Sequence, residues 1–150
     1  MRFQNTKSKK NSKGSHIDHN ARKSLRKIGL DYPHGTGHGV GYFLNVHEGP
    51  QSLAKNNKIN LKSGMIVSNE PGYYKKGYFG IRIENLIYIN KNKFEELTLA
   101  PIEKDLIKKK ILNKKEIEWL NKYHAKVKNS LLKFMNFEEK ANLTKACSPI

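Results

Sequence analysis

The segment His34-Gly-Thr-Gly-His38-Gly-Val-Gly41 places four glycines at alternate positions around one histidine. Glycine loses more conformational entropy on folding than any other residue. Such a run therefore predicts a backbone that must pass close to a ligand or a metal. It does not open a dinucleotide-binding unit. The Gly-x-Gly-x-x-Gly spacing would need glycine at position 40, where Val40 stands, and no crossover-helix pattern follows.

On either side of that run the hydrophobic period changes. Ahead of it, Ile17, Ala21, Leu25 and Ile28 form one apolar helical stripe, with Ser15 as the expected N-cap and Gly29 as the stop. Met1 to Gly14 is Lys/Ser/Asn-rich without periodicity and predicts a flexible basic arm. From Tyr32 to Pro101 the pattern is of short β-branched or aromatic runs: Tyr42–Val46, Met65–Ser68, Ile81–Ile83 and Leu86–Ile89. Glu48-Gly-Pro50, Lys62-Ser-Gly64 and Pro71-Gly72 read as the turns between them, and Leu97-Thr-Leu99 as a last strand. Antiparallel strands with short connections follow from this spacing. The tail returns to helix. Asn113 and Glu116 form a capping-box pair ahead of Ile117, Leu120, Val127, Leu131 and Phe134 on one face, with His124 among them. A shorter helix is expected from Asn136, with Glu138 and Glu139 favoured in its first turn by the helix dipole. The division is thus an arm (1–14), a strand-rich body (15–101) and a helical extension (102–150), an α+β chain.

The chain carries 29 Lys+Arg against 13 Asp+Glu over 150 residues, a formal charge of +16. That excess sits mostly in the flanks: residues 31–89 hold six bases and four acids. Only Arg2, Arg22, Arg26 and Arg82 are arginines, whereas bidentate phosphate and base contacts favour that residue. Lys, Asn and Ile are all abundant and all have A/T-rich codons. The charge therefore reads as composition, and a nucleic-acid partner is not expected. No stretch of about 18 apolar residues is present, so no membrane span is predicted. Nor does an apolar run follow the basic start as in a secretory signal. Cys147 is the only cysteine, which suits a reducing cytoplasm.

Five of the six histidines lie in the first 47 positions, and His34, His38 and His47 flank the glycine run. Glu70 follows an apolar strand pattern and precedes Pro71, and Glu84 follows Ile81-Arg-Ile83. A carboxylate beside a buried strand needs a cation or donors to offset its desolvation. One histidine and two carboxylates suit a divalent ion with oxygen-rich ligation, Mn²⁺ more than a thiolate-seeking metal. Satisfied buried His and Glu remain the alternative, since these spacings match no local metal motif. His47 could equally be a strand-end histidine bonded to backbone, and His34, after Pro33, a loop residue. Arg82 could be a structural ion-pair partner or a substrate contact. His16 and His19 are expected in solvent, His124 at a core edge, and Tyr73, Tyr74, Tyr78 and Phe79 in packing roles.

Four ordered motifs, His34–Gly41, Leu44-Asn-Val-His-Glu-Gly-Pro-Gln51, Ser68-Asn-Glu-Pro-Gly-Tyr-Tyr74 and Gly80-Ile-Arg-Ile-Glu-Asn85, together resemble the Xaa-Pro aminopeptidases (aminopeptidase P). That family belongs to the pita-bread metallopeptidases, with methionine aminopeptidase, prolidase and creatinase. The likeness spans roughly residues 15–150, through Ile117-Glu-Trp-Leu-Asn121 and the closing Cys-Ser-Pro-Ile, and corresponds to the C-terminal half of the catalytic domain. It implies that His38 is the imidazole ligand of a dinuclear site, Glu70 a ligand that also handles protons, and Glu84 the bridging carboxylate. His34 and His47 resemble the non-ligand histidines that hold the scissile carbonyl, and Arg82 would orient the site carboxylates. The implied chemistry is two-metal hydrolysis, with Mn²⁺, of the bond between an N-terminal residue and a following proline. Preorganised histidines would stabilise the oxyanion.

The family site also uses two aspartates placed well before the histidine motif. Asp18, in the expected helix, and Asp31, in the following loop, do not stand in their context. Three of five ligands imply that the chain is inactive alone. A separate N-terminal half or a homodimer would be its partner, and a peptide with proline second its substrate. The alternative is a decayed, non-catalytic remnant that acts as a binding or dimerisation module.

Overall fold

In the computed structural model, residues 12–43, 45–91 and 93–150 are described, and they divide at Thr98–Leu99 into two compact units. The sequence-predicted arm lies outside the described residues up to position 11. Its last three positions are paired: Leu61 N–H donates to the Ser12 carbonyl (2.9 Å), and Lys13 bridges Asn60.

The first unit is built on an antiparallel sheet whose strands alternate as their sequence requires. Strands β3 (Ile66–Asn69), β6 (Asn85–Asn90) and β7 (Lys93–Glu96) lie in the order β3-β6-β7. Val67, Ile87 and Ile89 turn inward, with Ser68 paired to Leu86 and Ile89 to Phe94. Two short ribbons complete the set. Strands β1 (Gly37–His38) and β2 (Ser52–Leu53) pair with each other, and a bridge from Gly39 to Val67 ties them to β3. Strands β4 (Gly72–Lys75) and β5 (Phe79–Arg82) form a hairpin whose turn has Gly77 at φ +76°, a conformation that favours glycine. Helix α1 (Gly14–Arg26) lays Ile17 and Ala21 on Leu53, Leu61, Val67, Ile87 and Ile89. Each such fully buried aliphatic contributes about 1.5–3 kcal/mol relative to exposure.

Several sequence expectations are corrected here. Helix α1 begins at Gly14 rather than after a Ser15 cap. Loop carbonyls of Ile59 and Asn57 accept its first N–H groups, so no side-chain cap is needed. The helix ends at Arg26, which leaves Ile28 exposed. The apolar run at 42–46 is not a strand. Gly41 N–H bonds the Asn45 carbonyl (2.8 Å) and closes a loop, with Tyr42 and Phe43 in a turn facing solvent; Leu44 lies outside the described residues. Gly72, expected in a turn, pairs with Arg82 instead. The last strand is Lys93–Glu96, whose charged residues hid it, and Leu97–Leu99 lies beyond it.

The second unit is helical. Helix α2 (Lys114–Leu131) and helix α3 (Phe137–Ala146) each begin with a complete Asn/Glu capping box, Asn113 with Glu116 and Asn136 with Glu139. Tyr123, Val127, Leu143 and Cys147 form their core, joined by Leu99, Ile102, Trp119 and Leu131. Phe134, expected on the apolar stripe, is exposed, because α2 stops at Leu131 and a 3-10 turn rotates the following residues. His124 is fully buried rather than at the core edge. Its Nε2 accepts the Ile102 N–H (3.0 Å), so Nδ1 carries the proton. No described helix is long and apolar enough to cross a membrane.

Candidate metal centre and its hydrogen-bond frame

The glycine run places His38 by close backbone approach. A Cβ on Gly37 would lie 1.9 Å from the Ser68 carbonyl oxygen, and one on Gly39 2.0 Å from that of Glu48. What the glycines admit is neighbouring protein backbone, in place of the ligand or metal expected from sequence. Strand β1 is thereby pressed against the end of β3, and His38 comes to face Glu70.

His38 is oriented at both ends. Its main-chain N–H donates to Ser68 Oγ (2.9 Å), and its ring Nδ1 lies 3.0 Å from the Gly39 carbonyl. A carbonyl only accepts, so Nδ1 carries a proton and Nε2 is the nitrogen turned toward the carboxylate. That Nε2 lies 3.4 Å from Glu70 Oε1. Glu70 is buried at 8% exposure, and both of its carboxylate oxygens are held. Oε1 accepts the Ser68 hydroxyl (3.1 Å), Oε2 accepts Arg82 Nη1 (3.0 Å), and the Glu70 N–H donates to the Thr36 carbonyl (2.8 Å). Glu84, exposed on the link between β5 and β6, completes the group. One ligand atom from each of His38, Glu70 and Glu84 lies within 4.8 Å of the others. Strand alternation does not bring Glu84 there, because β5 ends at Arg82.

Arg82 leads to a second line of contacts. Its Nε donates to the Tyr74 hydroxyl (2.8 Å), and that hydroxyl lies 2.8 Å from His34 Nε2. His34 Nδ1 is 2.7 Å from the Gly35 carbonyl and so carries the ring proton. The Tyr74 hydroxyl must then accept from Arg82 and donate to His34, a chain with one direction. The bond to Tyr74, with Glu70 and Glu84 nearby, raises the Arg82 guanidinium above its ordinary range. His47 is exposed, its ring centroid 4.1 Å from that of His38. His34, His38, His47, Glu70 and Arg82 all line one cavity of about 300 Å³.

The site residues expected from sequence therefore converge. The sequence reading missed Ser68, Thr36 and Tyr74. Ser68 had a visible signal, a lone hydroxyl closing an apolar run beside Glu70. Tyr74 had none beyond its aromatic ring, and was expected only to pack. The donor set suits a divalent cation. Two carboxylates and one imidazole supply nitrogen and oxygen donors, and among the described residues Arg82 is the cation paired with Glu70.

A model of metallopeptidase family M24 matches residues 5–91, and a model of the C-terminal region of peptidase M24 matches residues 91–150. The chain belongs to metallopeptidase family M24. Within it, several relatives carry Xaa-Pro aminopeptidase names. Probable Xaa-Pro aminopeptidase P of Laccaria bicolor is 44% identical over 151 residues, covering 89% of this chain and 24% of the relative. Aminopeptidase P2 of Arabidopsis thaliana is 51% identical over 125 residues, 74% of this chain and 18% of the relative. The crystal structure of X-prolyl aminopeptidase from Caenorhabditis elegans, described as a cytosolic enzyme with a di-nuclear active site, superposes with a TM-score of 0.83. It is 39% identical, over 94% of this chain and 25% of that one. The fold is thus the C-terminal portion of a pita-bread domain, as the motifs implied. The M24 chain spans about a quarter or less of the length of these relatives.

Proposed function

We propose that this chain supplies His38, Glu70 and Glu84 as three ligands of a dinuclear divalent-metal centre, Mn²⁺ by its donor chemistry, in an Xaa-Pro aminopeptidase. The observation that carries the reading is the convergence of one ligand atom from each of these three residues within 4.8 Å, with His38 Nε2 3.4 Å from Glu70 Oε1. When bound, the metal pair would supply Lewis-acid activation of the peptide carbonyl and of water. The remaining work falls to the chain's own side chains.

Arg82 fixes Glu70 through Oε2, so the carboxylate presents Oε1 on the His38 side, where it can take up and return a proton. His34, with its Nε2 hydrogen-bonded by the Tyr74 hydroxyl, and His47, beside His38, stand where a scissile carbonyl entering the cavity would need support. The substrate is a peptide with proline in second position, as the names of the relatives state for those proteins. By the same likeness the working compartment is the cytoplasm.

The site is completed by the part of the domain that these relatives have beyond the match. The isolated chain does not hydrolyse Xaa-Pro peptides, because open coordination positions leave the metal pair weakly held. Assay of Mn²⁺-dependent release of the N-terminal residue, for the chain alone and for the chain co-expressed with a matching N-terminal half, tests this. Release by the complemented pair only is expected. Release at enzyme-like rates by the chain alone overturns the requirement for a partner.

A further inference from the structure

Helix α1 carries a buried ion pair that none of the site chemistry uses. Asp18 is 1% exposed and Arg22 6% exposed, and Arg22 Nε donates to Asp18 Oδ1 at 2.9 Å. Burying two charges costs several kcal/mol per ion before pairing, so such a pair is weak evidence for stability alone. The question is what else these two groups hold.

Both reach into the loop that carries the site. Arg22 Nη1 donates to Asp31 Oδ1 (2.7 Å) and to the Tyr32 carbonyl (2.8 Å), and Nη2 donates to the His34 carbonyl. Asp18 Oδ1 accepts the Thr36 hydroxyl (2.7 Å) and, more weakly, the Thr36 N–H (3.3 Å). The Thr36 carbonyl in turn accepts the Glu70 N–H (2.8 Å). Each member of the pair is thus one backbone step from a residue of the candidate site. Arg22 grips the main chain of His34, and Asp18 grips Thr36, which grips Glu70. A guanidinium fork can hold several acceptors in fixed directions where an ammonium cannot.

We propose that Asp18 and Arg22 are positioning residues: the pair fixes the His34–Thr36 backbone, and through it the ring orientation of His34 and the main chain of Glu70. The functional meaning of that positioning rests on the aminopeptidase reading above. The geometric claim can be tested without metal or substrate.

In the ¹⁵N-labelled 150-residue chain, long-range histidine NMR spectra read the tautomers of His34 and His38, and amide exchange reads the Glu70 N–H. The Arg22→Lys variant keeps the charge beside Asp18 and removes the fork. Loss of the single Nδ1–H tautomer at His34, with His38 unchanged, is expected. Glu70 amide exchange should also rise about tenfold relative to the β6 amides, a loss of about 1.4 kcal/mol in local protection. A pair that served stability alone would leave the His34 tautomer unchanged and move Glu70 exchange in step with β6; that result overturns the proposal. If Arg22→Lys does not fold, Thr36→Val decides. It removes the hydroxyl that Asp18 and the Tyr32 hydroxyl hold and should raise Glu70 exchange above that of β6, while equal change across both overturns the proposal. Failure of the aminopeptidase reading would appear separately, as a complemented pair that releases no N-terminal residue although both tautomers are as described.

Discussion

The Nε2 of His38 lies 3.4 Å from Glu70 Oε1, on two residues 32 positions apart, and Ser68 holds them in that relation. One hydroxyl accepts the His38 main-chain N–H and donates to the Glu70 carboxylate. Ser68 is fully buried, and Glu70 is nearly so. Ser68→Ala is expected to cost about 1–3 kcal/mol, the range for leaving buried groups unsatisfied. Urea unfolding of the two chains measures the difference, and a change under about 0.5 kcal/mol, as at an indifferent surface position, would show that the bridge is not structural.

Gly37→Ala tests the close approach that positions His38. Its Cβ would meet the Ser68 carbonyl oxygen at 1.9 Å, and backbone in a paired strand cannot move aside cheaply. A loss of about 3 kcal/mol or more is expected, the upper end of overpacking. Gly49→Ala, where a Cβ meets nothing within 4 Å, serves as the control. Equal stability of the two variants in thermal unfolding would contradict the packing explanation of the glycine run.

The candidate site residues were picked out in sequence mainly by the resemblance of four ordered motifs, since their spacings match no local metal motif. The His34–Gly41 run, Ser68-Asn-Glu70 and Gly80–Asn85 each name their residues, and the Asn-x-x-Glu signatures place both capping boxes. The hydrogen-bond frame was less legible. Nothing in the spacing of Tyr74, Arg82 and His34 shows that a hairpin register, Tyr74 opposite Gly80 and Gly72 opposite Arg82, brings them together. The run at 42–46 failed for a related reason. β-Propensity records what suits a half-buried pleated surface, and here the Gly41–Asn45 hydrogen bond closes a loop that leaves Tyr42, Phe43 and Val46 in solvent. Lys93–Glu96 shows the converse, a charged segment made into a strand by pairing with β6.

Asp31 gives the first unit a defined acid response. Burial acts to raise its pKa, but hydrogen bonds from Arg22, the Tyr32 N–H and Arg26 outweigh it and hold the carboxyl at about 2, below its ordinary 3.8. A depressed carboxyl pKa means that the unfolded chain binds more protons between these values. The contribution is therefore complete above about pH 4 and lost as pH falls toward 2. Asp31→Asn should flatten the stability–pH curve in that window, as followed by urea unfolding at stepped pH. An unchanged slope would contradict the assignment.

His124 imposes the opposite group chemistry on the helical unit with the same sign. Burial, with Lys104 nearby, lowers its pKa below 6.5. The unfolded histidine therefore binds its proton first, and stability falls as pH drops below about 6.5. His124→Gln, which can still accept the Ile102 N–H, should remove this slope. A slope that persists in unfolding monitored by Trp119 fluorescence would exclude His124 as its source.

The most direct measurement is the release of the N-terminal residue from an Xaa-Pro peptide by the chain co-expressed with a matching N-terminal half, with and without Glu84→Gln. Wild type should hold Mn²⁺ and cleave the peptide, while Glu84→Gln, which removes a carboxylate from the His38–Glu70–Glu84 group, should do neither. Equal cleavage by both, or a metal-loaded wild-type pair that cleaves nothing, would contradict a catalytic metal centre built on these three residues.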